Sequence, residues 1–523
     1  MVKLEVIVKG CFYFNAIRVS NSLFIKSRIL TLIIRSTYKI TNLWATIMDL
    51  GSKVIKGLKV GALLRVIAQV FTWVNTLILI RILTPDDYGL MAMVMAFIGI
   101  FGLIGDFGVH KALIQAKEVD HFFYRRAFTI NLISCCTFFL LFYFLAPGIA
   151  IFFDEPDIIT PIRVVAFQHI ILIFHTLPYA QASRLMKFKE REQVQFYSTI
   201  VASIITIVMA VMGFGVWSLI TGHLLLKLSL TIGYNIISPY WAFPTKKFAT
   251  CYKLLIFSGF STKNDMLRYL MNVFPNIWIG KIFNKLDLGF FSVARNLASL
   301  PGDKIGELLN HLGLASFSKI QKEPELAGKY LLKSISLASM LLFPTYFGMC
   351  AVANEAIVVI LSEKWIPAII PFQILCLSSP FKILSELLAV GTTAMGKPHK
   401  NSFCLLYSLI FLSLFVFASY HGLIWACLAW LAITIISFFI HLYIITPVFH
   451  LKMATILLAL FPSILGSSCM LLALWVLKDN YFDSLANFIA LPLLIITGAV
   501  IFFSIMCVLF RNKLKVIRNY LRH

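Results

Sequence analysis

Apolar stretches about twenty residues long recur throughout this chain of 523 residues, and that recurrence excludes most folds. Coiled as an α-helix, a stretch of that length matches the hydrocarbon thickness of a bilayer. Such spans read near residues 60–82, 88–109, 126–147, 158–181, 194–213, 216–238, 256–282, 287–312, 331–352, 366–395, 401–420, 422–445, 455–477 and 487–510. The expected fold class is an all-α integral membrane protein with about fourteen transmembrane helices. With 60% hydrophobic and only 13% charged residues, a soluble chain of this length would have nowhere to bury its apolar surface.

The formal net charge of +23 would suggest nucleic acid in a soluble protein. Here the bases fall in alternate loops. Lys111, Lys117, Arg125 and Arg126 follow the second span, Arg184, Lys187, Lys189 and Arg191 the fourth, and Lys246 and Lys247 the sixth. Lys397 and Lys400 follow the tenth, and Arg511, Lys513, Lys515, Arg518 and Arg522 end the chain. The intervening loops are poor in base and carry Asp86-Asp87, Asp154-Glu155-Pro156-Asp157 and Glu355. Basic loops stay in the cytoplasm, so both termini are expected there, and the helix count is expected to be even. The excess charge thus reports topology, and no nucleic-acid partner is implied. Ten cysteines show no C-x-x-C pair and no metal-ligand spacing, which fits small packing residues rather than a metal site.

Residues 1–47 fit poorly, because Lys3, Lys9, Arg18, Lys26, Arg28, Arg35 and Lys39 interrupt every apolar run. Two readings stand: Met48 is the true start, or the extension is a basic amphipathic segment lying on the membrane surface.

An internal repeat organises the rest. Leu79-Ile-Arg-Ile-Leu-Thr-Pro-Asp-Asp-Tyr-Gly-Leu90 aligns with Ile279-Gly-Lys-Ile-Phe-Asn-Lys-Leu-Asp-Leu-Gly-Phe290 at one offset, pairing Arg81 with Lys281, Asp87 with Asp287 and Gly89 with Gly289. One copy follows the first span and the other the seventh, so the halves insert with the same orientation. Asp87 and Asp287 are expected to cap the helix that follows each. Residues 48–255 are then a first six-helix lobe, 256–447 a second in parallel repeat, and 448–523 two appended helices with a basic tail.

The stretch Ile80-Arg-Ile-Leu-Thr-Pro-Asp-Asp-Tyr-Gly-Leu90, with Asp287-Leu-Gly-Phe-Phe291, Ala294-Arg-Asn-Leu297, Gly213-Phe-Gly-Val-Trp217 and Leu361-Ser-Glu-Lys-Trp365, resembles the Wzx-type polysaccharide exporters. The likeness is to the colanic acid exporter branch, within the multidrug/oligosaccharidyl-lipid/polysaccharide flippase superfamily. It runs from about Lys53 to the end of the twelfth span. The resemblance implies two lobes around a central cavity in the bacterial inner membrane. It also implies a polyprenyl-diphosphate-linked glycan as substrate, and neighbours among other membrane proteins of polysaccharide assembly.

Ionisable residues inside spans normally face water, a partner or a substrate. Arg65, Gln69, Thr72 and Thr76 form one polar face of the first span. The seventh span holds Lys263, Asp265 and Arg268, the eighth Arg295, Lys304 and Glu307, the sixth Lys227, and the tenth Lys382 and Glu386 at i, i+4. Arg65, Lys263, Arg268, Arg295 and Lys304 are the expected anion-attracting set, because guanidinium and ammonium groups repay a diphosphate's lost hydration. Closed intrahelical pairs (Asp265 with Arg268, Lys304 with Glu307, Lys382 with Glu386) and a snorkelling Arg65 are the structural alternatives. The repeat also sets Arg65 opposite Asp265, which admits a pair that closes in one state and opens in another. Asp106, Asp265 and Glu307 are carboxylates of the kind that bind H⁺ or Na⁺ or gate transport. No other cofactor is expected, and nothing selects between ion antiport and downhill flipping.

Gly391-Thr-Thr-Ala-Met-Gly-Lys397 mimics a phosphate-binding loop but continues with Pro398 where Ser or Thr must hold Mg²⁺. A membrane-embedded glycosyltransferase, polymerase or ligase would need a sizeable outer loop, and the outer loops are short, so no catalytic residue is expected. A drug or cation exporter of the same superfamily is the nearer rival, and it would want carboxylates where bases predominate.

Overall fold

A computed structural model describes residues 61, 63–105, 113–114, 120–245, 252–321, 323–482 and 485–509, with backbone alone over 100–105, 252–265 and 303–319 and at 482 and 509. The extension before Met48, the basic tail and Asp106 lie outside the described residues. The described chain divides into a small unit, drawn from residues up to Ile67 and from Lys187–Gln193, and a large unit holding all the rest.

The helices are α1 Leu63–Ile82, α2 Pro85–Gly105, α3 His121–Phe153, α4 Pro156–Arg184, α5 Phe188–Val211, α6 Val216–Ile237 and α7 Tyr252–Ile282. They continue with α8 Lys285–Lys319, α9 Pro324–Ala351, α10 Glu363–Ala394, α11 Pro398–Ser419, α12 Leu423–Phe449, α13 Met453–Tyr481 and α14 Asn487–Leu509. Among the described residues eleven of these are long and apolar enough to cross a membrane. The other three, α2, α7 and α8, each include a stretch described by backbone alone.

The helices are built for lipid. On α5, Tyr197, Val201, Ile204, Val208 and Val211 follow one another at helical spacing and are exposed, while Val194, Ser198, Ala202, Thr206 and Ala210 on the other face are buried. Large apolar side chains thus point outward and small or hydroxyl-bearing ones face protein, the pattern that lets membrane helices approach closely. Gly222 of α6 meets that face, where an added Cβ would lie 2.0 Å from Thr206 Oγ1. The Thr206 hydroxyl donates to its own helix at Ala202 O (2.7 Å), as the Thr199 hydroxyl does to Gln195 O (2.8 Å), so these hydroxyls on the buried face are satisfied. The polar face expected on α1 is partly closed in the same way: Thr72 donates to Ala68 O and Thr76 to Thr72 O, each at 2.8 Å.

The repeat has a physical reason. α2 packs on α8 with their N-terminal turns in reciprocal contact. A Cβ on Gly89 would lie 1.8 Å from the Lys285 carbonyl oxygen, and one on Gly289 would lie 1.9 Å from that of Pro85. Residues 200 positions apart therefore touch each other's mates, and no side chain fits at either glycine. The N-cap positions are also equivalent, each lying three residues before the aspartate. Thr84 is the N-cap of α2: Asp87 N–H donates to Thr84 Oγ1 (3.3 Å), and Asp87 Oδ2 accepts from Thr84 N–H (2.9 Å) and Oγ1 (2.7 Å). Asn284 caps α8 by accepting from Asp287 N–H at 2.8 Å. Asp87 thus takes part as the reciprocal half of a capping box and lies, like Asp287, in the first turn at the positive end of the helix dipole, while the N-cap positions themselves are Thr84 and Asn284.

Two more connections lock this end of the large unit. Lys285 reaches Glu155 Oε1 (3.2 Å) and Asp157 Oδ2 (3.4 Å) on the α3–α4 turn. Burial alone would lower the Lys285 pKa, but hydrogen bonds and charges from Glu155 and Asp157 outweigh it and hold the ammonium above the ordinary lysine value. From the first turn of α10, the fully buried Trp365 donates Nε1–H to Ile80 O (2.9 Å), and Lys364 Nζ donates to Arg81 O (2.7 Å). The Trp365 ring also meets Tyr88 and Phe290 edge-on, one from each repeat copy.

Candidate functional site

Away from that locked end, α7, α10, α11 and α12 enclose a cavity of about 120 Å³, continuous through Lys382, Glu386 and Trp430 with a smaller one of about 50 Å³ against α8 and α9. α7, α8 and α10 each contain a proline near the lining: Pro275, Pro301 and Pro380. A proline removes one rung of the helical ladder, and such interruptions are tolerated where neighbours or a cavity satisfy the freed carbonyl.

Arg295 of α8 reaches across to two asparagines. Its Nη1 donates to Asn276 Oδ1 (3.2 Å) and its Nη2 to Asn272 Oδ1 (3.5 Å), both on α7. The guanidinium lies 5.4 Å from the centroid of the Trp430 ring, a cation–π distance. Arg268, one turn before Asn272, lines the larger cavity beside Lys382, Glu386, Asn401 and His441. Ser299, Ser378 and Ser379 supply hydroxyls to the smaller one. Among the described residues of its lining, three bases and one carboxylate give two net positive formal charges. An indole face, hydroxyls and amides beside fixed cations suit a ligand with both hydroxylated rings and anionic groups.

Of the five expected cations, the structure brings Arg268 and Arg295 together here. Lys263 and Lys304 lie on the same two helices, but their side chains fall outside the described residues, as do those of Asp265 and Glu307. Arg65 belongs to the small unit, where it pairs with Glu192 through Nη2–Oε1 contact and Nε–H donation to Oε2 at 3.2 Å. Lys382 and Glu386 share the cavity wall rather than standing apart from the site. Sequence reasoning missed Trp430, Asn272, Asn276 and His441, which are neutral or nearly so and do not register in a search for buried charge.

A second cavity, about 470 Å³, lies among α2, α3, α4 and α6. Gln168, His169, His175, Tyr179, His223 and Lys227 line it. Gln168 Oε1 accepts from His223 Nε2–H at 2.9 Å, and the His169 ring stacks on Phe142 at 5.7 Å. Lys227 was legible as a charge in the sixth span, and His223, one turn before it, was the signal for the rest.

A helical membrane protein with polar cavities among its helices and one end sealed by symmetric turns belongs to the class of multi-pass transporters. The comparisons then give the family. Residues 78–370 match the model of the polysaccharide biosynthesis protein family, and the chain belongs to that family. It is 24% identical to the lipopolysaccharide biosynthesis protein WzxC of Escherichia coli (strain K12), over 67% of this chain and 71% of that one. It is 22% identical to a membrane protein of the cps region of Klebsiella pneumoniae, over 72% of this chain and 78% of that one. Its fold is similar to that of the lipid II flippase MurJ in an inward closed conformation, with a TM-score of 0.70 and 13% identity over 87% of this chain and 99% of that one.

Proposed function

We propose that this protein is a flippase that carries a lipid-diphosphate-linked oligosaccharide across the bacterial cytoplasmic membrane by alternating access, without catalysing a reaction. The observation that carries the reading is the double cavity around Arg268, Arg295, Lys382 and Trp430. The two net positive formal charges of its described lining match a diphosphate diester, and its indole and hydroxyl groups suit the first sugars. Lys263 and Lys304, on the same two helices, remain proposed members of the anion-attracting set. A cationic drug would meet repulsion in this cavity, which disfavours the drug-exporter alternative.

Sidedness follows from the charged loops. With both termini in the cytoplasm, the turns after α1, α3, α7 and α9 face outward, so the locked end is the outer gate and the described state is closed to the outside. Opening the outer gate would require the Trp365 and Lys285 contacts to part. Asp106, Asp265 and Glu307 remain the proposed coupling or gating carboxylates for H⁺ or Na⁺.

The test is leaflet-resolved. In cells lacking this protein, lipid-linked glycan should accumulate on the cytoplasmic leaflet, and the intact gene should restore its appearance outside. Unchanged outer-leaflet glycan together with drug hypersensitivity would refute the reading.

A further inference from the structure

The cavity among α2, α3, α4 and α6 is separate from the one assigned to the diphosphate, and its chemistry differs. Lys227 is the fixed charge on its wall, and no carboxylate lines it among the described residues. An ammonium at membrane depth with no counter-charge on its cavity wall is costly, and such groups persist where a partner or substrate supplies the opposite charge. His169 adds a second demand. It is 1% exposed, and its Nε2 has no hydrogen-bond partner among the described residues. The wall also offers the Gln168 amide and the stacked rings of His175 and Tyr179, 5.6 Å apart and nearly parallel. A volume of about 470 Å³ places it in the range of small-ligand sites.

We infer that this second cavity receives one carboxylate carried by the glycan, as on a hexuronate, with Lys227 as its counter-charge and His169 as a neutral hydrogen-bonding partner. The inference rests on the flippase reading and deepens it by naming an acidic sugar as a preferred part of the substrate. Charge matching selects a carboxylate over the diphosphate here. One ammonium balances one carboxylate, whereas a diphosphate diester would leave a net negative charge buried beside it. The two cavities thus divide the substrate, with the diphosphate beside Arg268, Arg295 and Lys382 and the acidic sugar beside Lys227.

The protein in proteoliposomes tests this with two probes: a polyprenyl-diphosphate-linked trisaccharide ending in a hexuronate, and the same molecule as its uncharged methyl ester. The wild-type chain should flip the hexuronate probe about tenfold or more faster, the scale of one desolvated charge-assisted hydrogen bond. Lys227→Gln should bring the ratio close to one by slowing the charged probe, and Lys227→Arg should retain the preference. If Lys227→Gln fails to reach the membrane, Lys227→Met removes the charge at similar length and should give the same collapse. A wild-type ratio near one, or a ratio preserved in the uncharged variants, overturns the inference alone. A wild-type chain that moves neither probe overturns the flippase reading and this inference with it.

Discussion

The reciprocal glycines give the most direct handle on gating. In Gly89→Ala the new methyl would lie 1.8 Å from Lys285 O, and real Cβ contacts are not found below 3.0 Å. The obstacle is backbone carbonyl, not a flexible side chain, so α2 and α8 must separate by at least 3.0 − 1.8 = 1.2 Å. Gly289→Ala imposes nearly the same shift from the other helix, because its methyl would lie 1.9 Å from Pro85 O. A displacement of that size would stretch the 2.9 Å bond from Trp365 Nε1 to Ile80 O beyond hydrogen-bond range if the two elements follow their helices apart. Overpacking typically costs about 1–3 kcal/mol, which would lower the closed-state population about 5- to 150-fold relative to open states. Spin labels at Asp86 and Leu286, equivalent positions in the two copies, would read the change as a longer and broader distance distribution. Transport should fall in both variants, because a gate that cannot close cannot alternate. Gly148→Ala, whose methyl would meet nothing nearer than 3.7 Å, is the control. Unchanged distances and wild-type transport in Gly89→Ala and Gly289→Ala would refute the gate.

Further variants probe the other contacts. Arg295→Lys should lose most transport, as should Arg295→Ala, because an ammonium cannot serve Asn272, Asn276 and the Trp430 face together; flipping assays at matched membrane levels would show it. Lys285→Glu should loosen the outer gate, and combining it with Glu155→Lys should restore part of the closed population in the same spin-label measurement. Because the Lys285 pKa is raised, its ion pair is fully formed at pH values below the ordinary lysine value and is lost only as pH rises through the raised one. Gate distances should therefore not change between pH 7 and 9. Lys478→Gln strands Glu355, which is 3% exposed and pairs with Lys478 at 2.7 Å. Removing one partner of a buried pair costs about 3–5 kcal/mol, so the folded yield in membranes should drop, and adding Glu355→Gln should recover it.

Some of this molecule was plain in its sequence because the bilayer writes in a simple alphabet. Helix length, apolar runs and the alternation of basic loops survive any detail of packing. Arg268 and Arg295 could be singled out for the same reason, since a charge in a span demands an explanation wherever it sits. What escaped was whatever depends on a neighbour distant in sequence. Trp430 reads as one more aromatic in an apolar helix until α8 brings Arg295 over its ring. Thr84 and Asn284 are ordinary turn residues until the helix geometry shows which side chain reaches the first free N–H groups. The imidazoles at His169, His175 and His223 carry no fixed charge, so a search for buried ions passes over them.

The repeat shows how far one-dimensional evidence reaches. Gly89 and Gly289 were visible as matched positions, and matched glycines in two halves of a membrane chain have many possible causes. The structure narrows these to one, because each glycine clears the carbonyl four residues before its mate. A two-fold relation between parallel halves requires such reciprocity at its axis, since whatever one copy does to the other must be returned. The same reciprocity extends, less strictly, to the flanking turns. The α3–α4 turn of the first half reaches Lys285 of the second through Glu155 and Asp157, and the first turn of α10 in the second reaches Ile80 and Arg81 of the first through Trp365 and Lys364. The chemistry of the two contacts differs, an ion pair on one side and an indole bond on the other. Symmetry therefore holds the backbone at the proposed gate, where close approach leaves no choice, and relaxes in the cavities, where the proposed function would set Arg295 and Lys227 before different parts of an asymmetric ligand.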